Sequence, residues 1–342
     1  MLVERSPIVD LSLGPITAQA IHTAADLGLA DLLAGGPRTS GELALETGTP
    51  APTLRRLLRA LTALGVLAQD GPDRFGLTEL GGHLRRDAPD SVRSIAILMG
   101  IDEWWQAWGD LATSVRTGEP AFDRIFGMPA FEYLGRNPDR AAVFARAMTE
   151  MTRDIAPGVA AGYDFSKFGT IVDVGGGEGT LVAHILGAVP GLWAVLFDTP
   201  TGLEAAPGVL ASAGVADRCE IVPGDFFAAV PESADAYVVK SILHDWDDER
   251  SATILRNCRR AMAPGGRVLI VEKVIPDVIT AGDVEATEVV LADLIMLTLM
   301  SGGRERTEAD FRALLAAAGL AVTTITDPVT PQGERIIEAA AA

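Results

Sequence analysis

The spacing of apolar positions changes character near residue 170. Before it, apolar residues recur at helical intervals; after it, short β-branched runs alternate with helical stretches, the pattern of a parallel sheet with crossover helices. At the start, Ile16, Ala20, Leu27 and Leu32 predict one helix with an apolar face over 12–34, stopped by Gly35-Gly36-Pro37. Thr39, followed three residues on by Glu42, carries a capping pattern that opens a second helix, and Arg55 to Gly65 reads as a third. Val66 to Leu77 then reads as a hairpin with its turn at 70–73, so the pattern predicts a winged helix. Residues 90–160 read as helical, ending in an Arg146–Arg153 helix just ahead of the sheet. The predicted strands are Ile171–Val174, Trp193–Phe197, Cys219–Val222, Ala236–Lys240 and Val268–Glu272, with a closing hairpin of Val322–Ile325 and Arg335–Ala339.

Length and charge narrow the classes open to such a chain. Its 342 residues are enough for two domains, and 48% hydrophobic content supports proper cores. A formal charge of −18 argues against nucleic acid or an anionic membrane as partner, because phosphates would be repelled. Arg55, Arg56 and Arg59 therefore read as a solvated or dimer-facing side of the third helix rather than a DNA-reading one. Two cysteines, Cys219 and Cys258, make no disulfide framework and have no metal-ligand spacing, which places the expected compartment in the cytoplasm. The N-terminus lacks the basic flank and long apolar core of a signal peptide, and the apolar run 289–300 is interrupted by Asp293.

The chemistry concentrates at the predicted carboxyl ends of the strands. Ile171 to Val174 runs straight into Gly175, Gly176, Gly177 and Gly179, and a helix over Leu181–Val189 follows. A strand, a glycine turn and a helix in that order let a nucleotide lie against bare backbone. The dinucleotide fingerprint needs glycine at the sixth position, where this chain has Thr180; the loop alone leaves NAD and another nucleoside cofactor both open. Asp198, at the end of the second strand, is placed to accept from ribose hydroxyls, or else to cap the turn at Thr199-Pro200. Asp225 and Phe226 follow the third strand, where one could take an adenine amino group and the other stack on the ring. His244 follows the fourth. A neutral imidazole there could take a proton from a substrate, with Glu272 or Glu305 holding the ring tautomer. An aromatic middle segment that includes Trp104, Trp105, Trp108, Phe122, Phe126, Phe131, Tyr133 and Phe144 suits a flat apolar ligand.

The glycines at 175, 177 and 179 resemble the S-adenosylmethionine (SAM) loop of class I methyltransferases. Together with Phe197-Asp-Thr-Pro200, Gly224-Asp-Phe-Phe227, Leu243-His-Asp-Trp246 and Gly302-Gly-Arg-Glu-Arg-Thr307, they make nearly the whole chain similar to the SAM-dependent O-methyltransferases of the plant caffeate type and their bacterial polyketide-tailoring relatives. The resemblance implies an α/β fold. A Rossmann-like SAM domain would span 161–342, a mainly helical winged-helix dimerisation domain 1–95, and a helical linker contributing to the substrate pocket 96–160. It implies His244 as general base flanked by Glu272 and Glu305, and SAM held by Asp173, Gly175, Gly177, Asp198, Asp225, Phe226, Lys240 and Ser241. Substrate contacts carry over to Phe144, Met148, Ile295, Met296 and Met300. The expected partners are a hydroxylated aromatic substrate and a second copy of the chain. No metal is expected, since a histidine with a pKa near 6.5 would replace a cation as the means of activating a phenol of pKa ~10. Two other readings stay open. The same fold can bind SAM while decarboxylating or hydroxylating its substrate, although relatives that do so tend to lack the histidine kept here; a winged-helix regulator responding to a ligand is the other.

Overall fold

A computed structural model describes residues 6–342 and separates them into two compact units. The first five residues, part of the stretch read against a signal peptide, lie outside the described residues. One unit runs up to Gln106 and takes in Asn137–Met151; the other comprises Ala107–Arg136 and Thr152–Ala342. The stretch 96–160, expected to be a single linker, is therefore shared between them. Its long helix, Pro138–Ala161, passes from one unit into the other.

In the N-terminal unit the predicted helix over 12–34 is two helices, Gly14–Asp26 and Leu29–Leu33. Gly28 between them sits at φ +64°, a left-handed conformation that interrupts the helical hydrogen-bond ladder. The predicted apolar face also begins one turn late: Ala20, Leu27 and Leu32 pack on the core, while Ile16 is exposed. The rest follows the sequence pattern. Thr39 forms a complete capping box with Glu42 at the head of Ser40–Thr47, and Ala51–Ala63 buries Leu54, Leu58 and Leu61. The hairpin Leu67–Gln69 and Arg74–Leu77 joins Arg38–Thr39 in a three-stranded wing whose Phe75 is fully buried. Arg55 donates to the Pro72 carbonyl and pairs with Asp73, so one arginine of the third helix braces the wing turn. Arg56 and Arg59 remain exposed.

The C-terminal unit is built on a seven-stranded sheet. Its strands are β1 Thr170–Val174, β2 Trp193–Asp198, β3 Cys219–Pro223, β4 Ala236–Lys240, β5 Arg267–Glu272, β6 Leu320–Ile325 and β7 Arg335–Ala341. Their order across the sheet is β3-β2-β1-β4-β5-β7-β6, with β7 antiparallel to both neighbours and the remaining pairs parallel. Side chains alternate between two buried layers. Ala236 and Val238 of β4 point into one, with Leu181, Val182 and Leu186 of the helix Thr180–Ala188. Tyr237 and Val239 point into the other, with Ile254, Leu255 and Phe311 from the helices Asp248–Ala261 and Glu308–Ala317. Burial on both faces is why these strands read as continuous apolar runs. The chain order reverses between β1 and β4, so the loops that leave those two strands open a crevice at the carboxyl edge, where open α/β sheets bind ligands. None of the described helices is long and apolar enough to cross a membrane. Replacing Gly28 with alanine should lower the stability of the N-terminal unit by about 1 kcal/mol, because the residue would be held left-handed; urea unfolding measures it.

Candidate active site

The glycine loop after β1 is shaped by close approach. A Cβ on Gly175 would lie 2.5 Å from Ile242 Cδ1 and 3.6 Å from the Phe226 ring, so this glycine lets the loops after β1, β3 and β4 meet. Gly177 differs: at φ +56°, its missing side chain faces open space. The Gly177 amide donates to Asp198 Oδ2 at 2.8 Å, while Asp198 Oδ1 accepts from the Thr199 amide at 2.6 Å. Asp198 thus caps its own turn, as one reading expected, and its other oxygen holds the glycine loop. Asp225 accepts from the Phe227 amide, and Phe226 and Phe227 both pack edge-on against Trp246. Beneath them Asn257, a buried residue that no motif singled out, donates to the carbonyls of both phenylalanines.

Two charged groups stand under the loop. Asp173 is buried and pushed up to about 7, chiefly by burial, with Lys240 opposing the rise and Asp198 adding to it. Its Oδ2 has no hydrogen-bond partner. Lys240 Nζ donates to Thr152 Oγ1 and Ser241 Oγ. Burial holds its pKa below the usual lysine range against the pull of Asp173, Glu334, Glu272 and Asp245. Ser241 takes φ +52°, which turns the chain sharply as it leaves β4.

That turn leads into Leu243–Asp245, one short 3-10 turn carrying His244. The ring is held by a different glutamate from the backbone. His244 Nδ1 donates to Glu305 Oε1 at 2.8 Å, and the Glu305 side chain is 2% exposed. Glu272, expected beside the ring, instead accepts from three consecutive amides: Ile242 at 3.2 Å, Leu243 at 2.7 Å and His244 at 3.3 Å. A strand-end carboxylate satisfies the amides that open a turn before it reaches a side chain further along. From the other side Arg306, fully buried, donates to the carbonyls of Leu243 and Trp246 and pairs with Asp248. The loop bearing Glu305 and Arg306 fits only because Gly303 has no side chain, since a Cβ there would lie 2.7 Å from the His244 carbonyl oxygen. Asp293, on the helix Val284–Leu299, accepts from the Glu305 amide and fixes that loop to the helix.

The second ring nitrogen, Nε2, faces Asp245 Oδ1 at 3.7 Å. Burial alone would depress the imidazole pKa, but Glu305 and then Asp245 outweigh it and raise it to about 10, with Glu272 adding less. The carboxylates around the ring thus raise its proton affinity above the ordinary imidazole value near 6.5. Asp245 was not singled out from the sequence, although it lies within the Leu-His-Asp-Trp motif. Burial pushes it up to about 6, with His244 opposing.

Of the expected substrate contacts, the structure places Met296 and Met300 in the same unit as His244, both buried, with Ile295, just before Met296 in sequence, half-buried. Met300 packs where the Gly303 side chain would be. Phe144 and Met148 belong to the other unit, where Phe144 meets Trp104. In the C-terminal unit Phe131 stacks on Trp246 at 5.5 Å, and Ser301 donates to Asp123 of the helix Ala121–Phe126.

A seven-stranded sheet of this order, with a glycine loop and a histidine–glutamate pair at its switch point, defines a class of methyl-transferring enzymes. The chain belongs to the O-methyltransferase family: an O-methyltransferase domain matches residues 108–321, and an O-methyltransferase dimerisation domain matches residues 9–86. It is 43% identical to the phenazine O-methyltransferase PhzM of Lysobacter antibioticus, over 98% of this chain and 95% of that protein. The crystal structure of LaPhzM superposes with a TM-score of 0.92 at 42% identity, covering 98% of this chain and all of that one. The neocarzinostatin-biosynthesis O-methyltransferase NcsB1, solved with SAM and 2-hydroxy-5-methyl naphthoic acid, aligns at 36% identity and a TM-score of 0.80 over 95% of this chain and 96% of its own.

The electrostatics of the ring can be measured without turnover. The His244 ring protons should titrate with a midpoint near pH 10 by NMR. Glu305→Gln should lower that midpoint by about one unit or more, because the dominant carboxylate is gone, and Glu272→Gln should lower it less.

Proposed function

We propose that this protein is a SAM-dependent O-methyltransferase that methylates a phenolic hydroxyl of an aromatic natural product, with His244 as its general base. The observation that carries this reading is the anchoring of the ring: Nδ1 is bonded to the buried Glu305 carboxylate, while Nε2 has Asp245 no nearer than 3.7 Å and the side chain is 21% exposed. A base anchored at one nitrogen and accessible at the other is suited to taking a proton from a bound hydroxyl. The donor's place is supported by the open cradle at Gly177 and the unpartnered Asp173 Oδ2, which leave room and a hydrogen-bond acceptor beside the loop. Asp173, Gly175, Gly177, Asp198, Asp225, Phe226, Lys240 and Ser241 would hold SAM, whose sulfonium supplies an electrophilic methyl group. Met296, Met300 and Ile295 would line the acceptor's place.

A phenol has a pKa of ~10, so at neutral pH almost none is ionised. His244 takes the proton as the oxygen commits to attack. The raised proton affinity of the ring brings it toward that of the phenol, so the neutral imidazole takes the proton at less cost than an ordinary histidine would. Glu305 compensates the imidazolium as it forms, and Arg306 and Glu272 keep the turn from moving. The chain acts as a homodimer, supported by the dimerisation-domain match and by the exposed Ile8, Leu11 and Ile16 at its start. It works in the cytoplasm, which two free, buried cysteines support.

His244→Ala should bind SAM with unchanged affinity and lose ~10²-fold or more in kcat. Mass spectrometry of the product of a hydroxylated phenazine, naphthoate or quinone should show one added methyl and equimolar S-adenosylhomocysteine; a product changed by loss of carbon dioxide or gain of oxygen would refute methyl transfer. Light scattering should give twice the 35.9 kDa chain mass, and Leu11→Asp with Ile16→Asp should halve it.

A further inference from the structure

The helices of the C-terminal unit that cover the His244 turn carry an acid with no part in the chemistry above. Phe131, on the helix Ala130–Arg136, stacks on Trp246, and the helix Ala121–Phe126 packs on both that helix and Val284–Leu299. Asp123, on Ala121–Phe126, accepts from the Ser301 hydroxyl through Oδ2. Ser301 directly follows Met300, whose Cβ lies 2.7 Å from where a Gly303 side chain would begin, against the His244 carbonyl. Asp123 is therefore tied to the wall beside the base. Its other oxygen, Oδ1, is out of solvent and has no hydrogen-bond partner among the described residues. Ser114, fully buried on the neighbouring helix Leu111–Thr117, keeps its Oγ unpaired in the same way.

A buried carboxylate oxygen is costly unless something donates to it, and the covering elements hold no cation free to do so. The helix Val284–Leu299 contains no lysine or arginine. Arg124 pairs with Asp110, Arg136 with Glu132, and Arg304 with Asp248 and Asp310. Arg306 is committed to Asp248 and to the carbonyls of Leu243 and Trp246, and Arg116 lies exposed in the last turn of Leu111–Thr117. The groups around the base add further acids, with Asp245 and Glu305 at the ring and Asp293 behind the Glu305 loop. A ligand entering beneath this cover meets hydrogen-bond acceptors and acids without a counter-ion.

We infer that Asp123 sets the class of acceptor: Oδ1 takes a hydrogen bond from a second hydroxyl or an amine on the aromatic ring system, and the acid turns away acceptors that carry a carboxylate. The inference rests on the methyl-transfer reading above and narrows it. A donor group on the acceptor relieves the unpaired oxygen as it binds. A carboxylate instead brings a second negative group into a cover that offers it no partner. Ser301, by holding Oδ2, leaves Oδ1 as the oxygen a ligand meets.

Relative kcat/KM across one ring system tests this, using naphthols that bear an amine, a hydroxyl, a methoxy group or a carboxylate at one and the same position. The amine and hydroxyl compounds should exceed the methoxy compound about tenfold, and the carboxylate should fall about tenfold below it. Asp123→Asn should move the two ends in opposite directions, raising kcat/KM for the carboxylate and lowering it for the amine, each by roughly tenfold. A loss of packing alone would lower both. Equal values for all four compounds with the unaltered protein, as when only water meets Oδ1, would overturn the inference, and so would a fall for both ends in the variant. The first comparison needs no variant, so it decides the matter even if the asparagine protein does not fold. Methylation of none of the four by protein that binds SAM would instead overturn the methyl-transfer reading, and the inference with it.

Discussion

A ring that gains charge can be kept largely out of water only where opposite charge meets it, and His244 is met by Glu305 on one nitrogen and Asp245 near the other. Much of the surrounding architecture serves that arrangement. Glu305 can reach Nδ1 because its loop lies flat on the His244 turn, and the loop lies flat because Gly303 brings nothing between the two backbones. Arg306, from the same loop, closes on the carbonyls of that turn while Glu272 closes on its amides. The turn is thereby gripped through its main chain, so the imidazole does not depend on its own side-chain contacts for its direction.

This division of labour between the two glutamates has a chemical consequence. Glu305 acts on the ring and sets its proton affinity, whereas Glu272 acts on the backbone and sets where the ring points. Burial raises the Glu272 pKa, and its Oε2 has no partner, so its value to the site lies in the three amides on Oε1 rather than in a second charge on the imidazole. Two residues that look equivalent as acidic neighbours of a histidine therefore contribute through different physics, one electrostatic and one geometric.

The crevice as a whole is acidic, with Asp173, Asp198, Asp245, Glu272 and Glu305 gathered at the carboxyl edge of the sheet, and with half-buried Lys240 and buried Arg306 among them. Such a place favours a cation over a phosphate and suits a sulfonium better than a dinucleotide. It also explains why several of these acids are pushed upward: each loses water and gains like-charged neighbours, with too few cations to compensate all of them.

The strands, their alternating burial and the glycine loop were legible in the chain because each depends on residues adjacent in sequence. The apolar runs of β1 and β4, the capping box at Thr39 and the wing turn before Arg74 all appear where local spacing puts them. The break at Gly28 was not legible, since a lone glycine inside an apolar pattern reads equally as a tolerated helical residue. What the motifs could not say was which carboxylate meets which atom. His244 and Glu305 are 61 residues apart and His244 and Glu272 are 28, and only the folded sheet decides that the nearer glutamate faces amides and the farther one the ring. The raised proton affinity of that ring was decided in the same way, because it follows from distances and burial that exist only once the strands have packed.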